Sequence, residues 1–230
     1  SFPDEQKEWS GPFYFIQAAD PQLGLMKAWR IGDCDSGGDE WDEEVQLTKQ
    51  AVQAINKLQP KPRFIVLCGD LVHAMPEDDY FNLQRGIREL LIQRFKRAAL
   101  LCLIGVKTKL CRTPVLHNQF EHPWLRGKDR GTQIEFGLGL RSVLVSFVSN
   151  ILLSLFSGVK AVFSGHYHRN AGGCHDGLDM VVSSAVGCQL GDDTHGVRVV
   201  VVTENNIIHR YHSLDQLSER GMDEDLKKLL

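Results

Sequence analysis

The sequence predicts an α/β fold in which strands alternate with helices. Residues 12–20, "PFYFIQAAD", and 62–70, "PRFIVLCGD", are short apolar runs that each end at an aspartate, a pattern typical of buried strands. Between them, residues 42–59 open with an acidic turn and then place apolar side chains at helical spacing. The order strand, helix, strand is typical of a mostly parallel sheet.

Four further strands are predicted in the C-terminal third. The segments "VKAVFSGH", "LDMVVSSAVG", "GVRVVVVTE" and "NIIHRYHS" are runs of valine or isoleucine bounded by glycine, aspartate or asparagine. Asp215 is the expected cap of a last helix that extends to about residue 230 and packs on the outside. Residues 76–140 predict a helix followed by a strand and then no firm pattern. The whole chain, 1–230, is expected to form one domain.

The composition disfavours nucleic acid and membrane as partners. A net charge of −3 with neutral histidines creates no general field that attracts polyanions or anionic lipid. Residues 142–163 are nearly long enough to span a bilayer, but Asn150, Gly158 and Lys160 interrupt them, which favours a buried strand, helix and strand. The sequence contains no signal for a particular oligomeric state.

Cysteine usage predicts a cytoplasmic protein with reduced thiols. The six cysteines are scattered without a Cys-x-x-Cys pair, and the N-terminus lacks the pattern of a signal peptide. Cys174 follows the histidine pair closely enough to be a ligand or a redox-sensitive thiol, but an ordinary unreactive cysteine is favoured. Similarly, the acidic segment 32–44 can bind a cation, but a solvated loop that leads into a helix is favoured.

Three predicted strand ends carry side chains that bind metals. Asp20 and Asp70 close the first two strands, and "GHYH" places His166 and His168 after a later one. Ligands of open α/β sheets sit at the carboxyl ends of the strands, so these distant residues are expected to meet. Taken singly, the aspartates fit turns or helix caps and the histidines fit an exposed polar loop. The combination favours a metal site.

The types of donor atom at these positions indicate which metal ions the site suits. Carboxylates beside imidazoles suit Zn²⁺, Mn²⁺ or Fe, whereas an all-oxygen shell suits Mg²⁺ or Ca²⁺. Two such ions about 3.5–4 Å apart are usual in phosphatases, where they clamp phosphate oxygens and activate a water. Gly165, Gly172 and Gly173 are expected to let the backbone approach that group.

The blocks "DPQ", "GDLVH" and "GHYH", in this order, resemble the signature of the calcineurin-like metallophosphoesterases. The resemblance implies a β-sandwich flanked by helices, with an atypical or incomplete middle segment. It also implies that Asp20 and His168 bind one metal. Asp70 then bridges two ions and His166 binds the second, and these two are the implied catalytic residues. Gln22 stands where most of the family has histidine and offers a weaker oxygen ligand.

The middle of the chain departs from the family pattern. No Gly-Asn-His occurs between Asp70 and Gly165, although the resemblance implies that this block and a further histidine complete the second metal site and protonate the leaving group. His117 and Asn118, in "VLHNQFEHPWL", are tentative substitutes whose order and setting match neither block. The family's domain is also usually longer than this chain. Weak binding of the second metal is therefore expected.

A metal-dependent phosphoesterase is the function that the resemblance implies, with one or two divalent ions of Zn, Mn, Fe or Mg. The substrate that the resemblance implies is phosphoserine or phosphothreonine on a protein, such as a signalling kinase of the Akt type. Water activated by the metal then attacks phosphorus in line, without a covalent phosphoenzyme. The alternative is a degenerate, non-catalytic scaffold of the same fold that acts through protein contacts.

Overall fold

A computed structural model describes residues 9–32, 40–73, 99–104, 159–175 and 177–230. The strands are β1 Phe13–Ala19, β2 Phe64–Gly69, β3 Ala99–Ile104, β4 Ala161–Ser164, β5 Ala171–His175, β6 Leu178–Val182, β7 Gly196–Val202 and β8 Ile207–Ser213. The helices are α1 Leu25–Ile31, α2 Asp42–Lys57, α3 Leu214–Arg220 and α4 Glu224–Lys227. The described strands form a five-stranded sheet of order β3-β2-β1-β7-β8 and a three-stranded sheet of order β4-β6-β5.

The larger sheet contains the predicted βαβ unit. β1 and β2 run parallel, with Ile16 opposite Ile65, and α2 lies between them in the chain. Both strands and the helix are therefore confirmed. β3 adds a third parallel strand, whereas β7 and β8 run antiparallel on the other side of β1. The carboxyl ends of β1 and β2 consequently lie next to each other.

An apolar core lies between the larger sheet and the described helices. It includes Tyr14, Ile16, Ile55, Ile65, Val199, Leu214, Leu217, Met222 and Leu226. Each aliphatic side chain buried in this way contributes about 1.5–3 kcal/mol. β7 is buried along its first six residues, and its unbroken valine run is typical of a strand covered on both faces.

The smaller sheet covers the other face of the larger one. Phe15 of β1 stacks on Phe64 with ring centroids 4.7 Å apart, and it meets Phe163 of β4 edge-on at 6.1 Å. Aromatic side chains thus join the two sheets on the face opposite the helices. The predicted α/β sandwich with flanking helices is confirmed.

The glycine-rich segment after the two histidines is a strand, β5. β5 pairs antiparallel with β6, with Gly172 opposite Val181. A Cβ atom at Gly172 would meet the Met180 carbonyl oxygen at 2.0 Å, whereas one at Gly173 would meet nothing within 4 Å. Gly172 therefore serves strand pairing, contrary to the expectation that it lies against a metal-bound group. Cys174 lies exposed on the same strand.

The predicted last helix is two short helices. Ser213, and not Asp215, caps α3, because its hydroxyl accepts from Gln216 N at 3.1 Å while Gln216 Oε1 accepts from Ser213 N at 3.2 Å. Gly221, with a φ of 71°, ends α3 before α4 begins. The leucines of both helices that face the sheet are buried, while Asp215 and Glu224 are exposed, so the helices pack on the outside of the sheet as predicted.

A helix that the sequence pattern did not indicate, α1, follows β1 closely. Gly24 N and Met26 N donate to Glu44 Oε1 at 3.0 and 2.9 Å. Glu44 is 1% exposed, and its carboxylate satisfies amides that the start of a helix leaves without an intrahelical partner. This end of the acidic segment is therefore a buried cap and not part of a solvated loop. Residues 33–39 of that segment lie outside the described residues.

Most elements predicted for residues 76–158 lie outside the described residues. β3 confirms the strand expected near residue 100, and β4 confirms the strand at the end of the apolar segment. Within the described ranges, no helix combines the length and the apolar content needed to cross a membrane.

Candidate metal centre

The predicted ligands that the structure describes meet at the carboxyl ends of three strands. Asp20 follows β1, Asp70 follows β2, and His166 and His168 follow β4. Gln22 lies on the loop after Asp20, where its backbone N donates to the Asp70 carbonyl oxygen at 3.0 Å. The loops after β1 and β2 therefore run alongside each other and bring these side chains to one edge of the sandwich.

Backbone strain is concentrated at this edge. The non-glycine residues with positive φ in the described part of the chain are all predicted ligands: Asp20 (42°), Gln22 (31°), His166 (71°) and His168 (57°). Conformations of this kind cost on the order of 1–3 kcal/mol each and persist only where the surroundings enforce them. The fold therefore holds these four side chains against their local preference, as is common at functional sites.

Two glycines make room for the Asp20 carboxylate. A Cβ atom at Gly69 would lie 1.9 Å from Asp20 Oδ1, and one at Gly165 would lie 2.4 Å from Asp20 Oδ2. Gly69 also has a φ of 77°, which disfavours any other residue there. Gly165 does bring the backbone close to the site, as expected, but the group that it approaches is Asp20 itself.

Asp20 is fully buried and accepts hydrogen bonds from two backbone amides. Asp70 N donates to Oδ1 at 2.9 Å, and His166 N donates to Oδ2. Burial raises the pKa of Asp20 to about 6, and the two amide donors oppose part of that rise. A cation beside this carboxylate would favour its charged form.

Asp20 and His168 form what we call the inner pair. The His168 ring is hydrogen bonded through Nδ1 to the carbonyl oxygen of Cys188. Because a carbonyl oxygen only accepts, a neutral ring carries its proton on Nδ1 and has its lone pair on Nε2. Nε2 lies 3.9 Å from Asp20 Oδ1. That separation is too long for a hydrogen bond but fits two ligands that each stand about 2.0–2.2 Å from one ion.

Asp70 and His166 form the outer pair. His166 Nδ1 lies 4.0 Å from Asp70 Oδ2, which again fits two ligands of one ion better than a hydrogen bond. The Asp70 side chain is 3% exposed, whereas the His166 ring is 45% exposed. The outer pair is therefore the part of the centre that opens to solvent.

His73 is a buried neighbour of the site to which the sequence analysis gave no role. Gln22 Nε2 donates to His73 Nδ1 at 3.2 Å, and His73 N donates to the Leu23 carbonyl oxygen at 2.9 Å. Because the Gln22 amide nitrogen faces His73, the amide oxygen is the atom that can act as a ligand. The position of His73 at the end of the "GDLVH" block was the available signal.

The donor set fits a divalent transition metal, since it combines carboxylates, imidazoles and an amide oxygen. Among the described residues, no group of three His, Cys, Asp or Glu side chains is arranged to hold an ion. The donors instead form two pairs, each with the spacing of two ligands to one ion. Further ligands are needed to complete either shell. His117 and Asn118 lie outside the described residues, so their role stays a prediction.

Comparisons with known proteins identify relatives of the whole chain. No protein family model matches it. It is 57% identical to the serine/threonine-protein phosphatase CPPED1 of Danio rerio, covering 99% of this chain and 93% of the relative. Identity to CPPED1 of Homo sapiens is 45%, covering 100% and 93%. A crystal structure of a dimetal phosphatase from Danio rerio shares the fold, with a TM-score of 0.52 and 10% identity over 88% of this chain and 96% of that chain.

Fold and relatives together define a phosphatase of the metallophosphoesterase class, a group that implies divalent metal ions. Within this class, the chain belongs to the CPPED1 family of serine/threonine-protein phosphatases. The resemblance to the calcineurin-like metallophosphoesterases is thereby confirmed. The alignment with the Danio rerio relative extends over 292 positions and this chain has 230 residues, so at least 62 of those positions have no counterpart here.

Proposed function

We propose that this chain hydrolyses phosphate monoesters with divalent metal held at the inner and outer pairs. The observation that carries the proposal is the meeting of metal-binding side chains from three strand ends, in strained conformations around a glycine-lined carboxylate. In this assignment Asp20 and His168 bind the first ion, with the Gln22 oxygen as a further ligand. Asp70 bridges the ions, and His166 binds the second.

Bound divalent ions supply a Lewis acid for the phosphoryl oxygens and lower the pKa of the attacking water. The chain positions the reacting groups. Two backbone amides and two glycines immobilise Asp20, which fixes the inner end of the centre. Asp70, as the proposed bridging ligand, would supply negative charge between two bound cations. His166 lies on the solvent side, where a phosphate enters.

The second ion is the weaker one in this proposal. The first ion draws on Asp20, Asp70, His168 and the Gln22 oxygen, whereas Asp70 and His166 are the assigned ligands of the second. Two ligands hold a divalent ion poorly against water. A missing general acid costs about 10²–10⁴ in rate for a poor leaving group, so alkyl phosphates are expected to suffer more than aryl phosphates.

Phosphoserine and phosphothreonine in proteins are the proposed natural substrates. Support comes from the relatives, which are named serine/threonine-protein phosphatases. The exposed His166 ring of the outer pair also suits a phosphorylated side chain that is presented on a protein surface. The finer proposal is a signalling kinase of the Akt type. Faster dephosphorylation of such a kinase than of an unrelated phosphoprotein supports this choice, and equal rates contradict it.

The variant Asp70→Asn tests the bridging role. It keeps the shape of the side chain but removes the charge between two cations, so turnover of p-nitrophenyl phosphate is expected to fall at least about 100-fold, the size of effect that one preorganised electrostatic group has. The same substitution at the exposed Asp225, whose carboxylate pairs with Arg210, is the matched control and should leave turnover unchanged. Unchanged turnover in Asp70→Asn contradicts the assignment.

A non-catalytic scaffold is the second candidate function. Two observations favour it: no three-residue metal group occurs among the described residues, and at least 62 aligned positions of the Danio rerio relative have no counterpart in this chain. A scaffold predicts metal that binds weakly and no turnover above that of Asp70→Asn. Metal-dependent turnover that this variant abolishes contradicts the scaffold.

We further propose a single domain, 1–230, in the cytoplasm. The larger sheet pairs β1 with β7, so both ends of the chain contribute to one sheet. The scattered cysteines, which form no Cys-x-x-Cys pair in the sequence, fit a reducing compartment. Limited proteolysis that releases a stable half, or fractionation with membranes, would contradict the respective proposal.

A further inference from the structure

Behind the candidate metal centre lies a group of buried polar side chains to which the proposed reaction gives no role. Gln17 of β1 and Arg198 of β7 are directly opposite each other in the larger sheet, and both are buried. Their side chains reach the smaller sheet. Gln17 Nε2 donates to the Ser164 carbonyl oxygen at 3.4 Å, and Arg198 Nη2 donates to Asn170 Oδ1 at 2.8 Å.

We propose that Gln17 and Arg198 form a clamp that positions the segment 164–170, and with it both histidines, for metal binding. Ser164 and Asn170 are the two ends of this segment, so each member of the clamp holds one end. The inference rests on the proposed metal function. Neither Gln17 nor Arg198 is assigned to the metal, so both are positioning residues.

Ser183 couples the two halves of the clamp. Its hydroxyl donates to Gln17 Oε1 and accepts from Arg198 Nε at 2.9 Å. The Gln17 amide is thereby fixed at both its oxygen and its nitrogen. Because buried polar networks of this kind polarise and rigidify one another, a shift at either end of the clamp affects the other.

Asn170 is held from three sides, which makes it a firm end for the segment. Besides accepting from Arg198, its Oδ1 accepts from Ser184 N at 3.3 Å. Its Nδ2 donates to Asp193 Oδ1 at 3.2 Å, and its backbone N donates to Asp193 Oδ2 at 2.5 Å. Side chain and backbone of Asn170 are therefore both fixed two residues after His168.

Burial lowers the pKa of the Arg198 guanidinium, and the nearby Tyr211 and Asp193 oppose only part of that shift. The acceptors of its hydrogen bonds are neutral: Ser183 Oγ, Asn170 Oδ1, and His209 Nδ1 at 3.1 Å. A buried guanidinium with neutral acceptors is costly to desolvate, and well-packed apolar residues are often at least as stabilising at such positions. What Arg198 does supply is a rigid fork of donors with fixed directions.

The backbone of the histidine segment is strained, and the proposed role of the clamp is to hold it in that conformation. His166 and His168 have φ of 71° and 57°, conformations that persist only where the surroundings enforce them. The clamp holds the segment on both sides of these residues. When one side is released, the segment can relax, and the two rings then leave the positions opposite Asp20 and Asp70.

Titration of the purified chain with Mn²⁺ tests the clamp, with calorimetry as the readout. In Arg198→Gln the dissociation constant for Mn²⁺ is expected to rise about 10- to 100-fold, the usual cost of losing support behind a metal ligand. Asn170→Ala removes the same contact from its other end and should weaken binding in the same direction. Leu226→Ala, a buried core change in α4 on the helix side of the larger sheet, is the control that loses stability without weakening Mn²⁺ binding.

The outcomes distinguish failure of the clamp from failure of the proposed function. Wild-type affinity in both Arg198→Gln and Asn170→Ala, while Asp70→Asn binds Mn²⁺ weakly, overturns the clamp and leaves the proposed function standing. No binding by the wild-type chain overturns both. An equal loss in Leu226→Ala shows general destabilisation and also overturns the clamp. If Arg198→Gln does not fold, Asn170→Ala and Gln17→Ala decide the question in the same way.

Discussion

The inner and outer pairs of the candidate metal centre use the same two residue types, but the protein holds them differently. Asp20 and His168 are 0% and 4% exposed, and backbone groups contact both side chains. In the outer pair, Asp70 is buried while the His166 ring is 45% exposed. The side chains of the inner pair are therefore preorganised, whereas the outer pair is the one that solvent can reach.

This difference has a consequence for affinity. A ligand that is already fixed loses little conformational entropy when it binds an ion, whereas an exposed side chain must first be ordered. The inner pair is consequently expected to bind metal more tightly than the outer pair. The exposed ring of the outer pair is in turn the group that we expect a substrate to contact first.

Filling the space beside Asp20 should break the inner pair and produce the largest effect. In Gly69→Ala the new Cβ would lie 1.9 Å from Asp20 Oδ1, at a φ of 77° that disfavours alanine. We expect a loss of about 1–3 kcal/mol in the free energy of unfolding, together with loss of tight metal binding. Urea denaturation and metal titration measure the two effects.

Gly173→Ala is the matched control for that variant, because a Cβ atom there meets nothing within 4 Å. It should change neither the stability nor the metal affinity appreciably. If Gly69→Ala behaves like this control, the Asp20 carboxylate is not held as described. The inner pair is then not preorganised.

Variants that each remove one histidine distinguish the metal affinity of the inner pair from that of the outer pair. His168→Ala should abolish the tight phase of a metal titration. This loss of affinity should exceed the about 10- to 100-fold loss that is usual when a residue supporting a metal ligand is removed. His166→Ala should leave the tight phase and remove the weak one, because its ring belongs to the outer pair. Identical metal retention in both variants would return the two histidines to an exposed loop without a metal role.

The smallest expected effect concerns pH and the network behind the inner pair. Burial and the nearby Arg198 charge lower the pKa of His209 below its ordinary value of 6.5, although Asp179 acts in the opposite direction. Below about pH 6.5 the unfolded chain therefore binds a proton that the native state resists, and stability falls with pH until the native pKa is reached. His209→Gln keeps an acceptor for Arg198 but does not titrate.

Urea midpoints measured across this pH range should consequently fall less steeply in His209→Gln than in the wild-type chain. Equal pH slopes for the two proteins would show that the half-buried His209 ring is not held neutral in the native state.

Much of the fold follows from local sequence patterns. The runs that became β1, β2 and β7 are apolar over a length that suits strands, and α2 shows helical spacing. The patterns failed where a tertiary contact decides the outcome. Glu44 caps α1 from a distant part of the chain, and β5 is a strand because β6 lies beside it, although its glycines resemble those of a loop.

In the site, too, some features follow from local sequence patterns and others depend on tertiary contacts. The meeting of the aspartates and histidines could be predicted because ligands of α/β sheets lie at the carboxyl ends of strands, and because their blocks occur in order. Gln17, Asn170 and Arg198 carried no such signal, since their importance depends on which strands pair across the sandwich. The cap of α3 was misplaced by two residues because Ser213 and Asp215 are both good caps, and only the contact with Gln216 distinguishes them.

Metal stoichiometry measured together with phosphoserine hydrolysis tests the difference between the two pairs most directly. We expect close to one tightly held divalent ion per chain after exhaustive dialysis. We also expect p-nitrophenyl phosphate to be hydrolysed far faster than phosphoserine. Elemental analysis that finds two tightly bound ions per chain, with efficient hydrolysis of phosphoserine, would contradict both expectations.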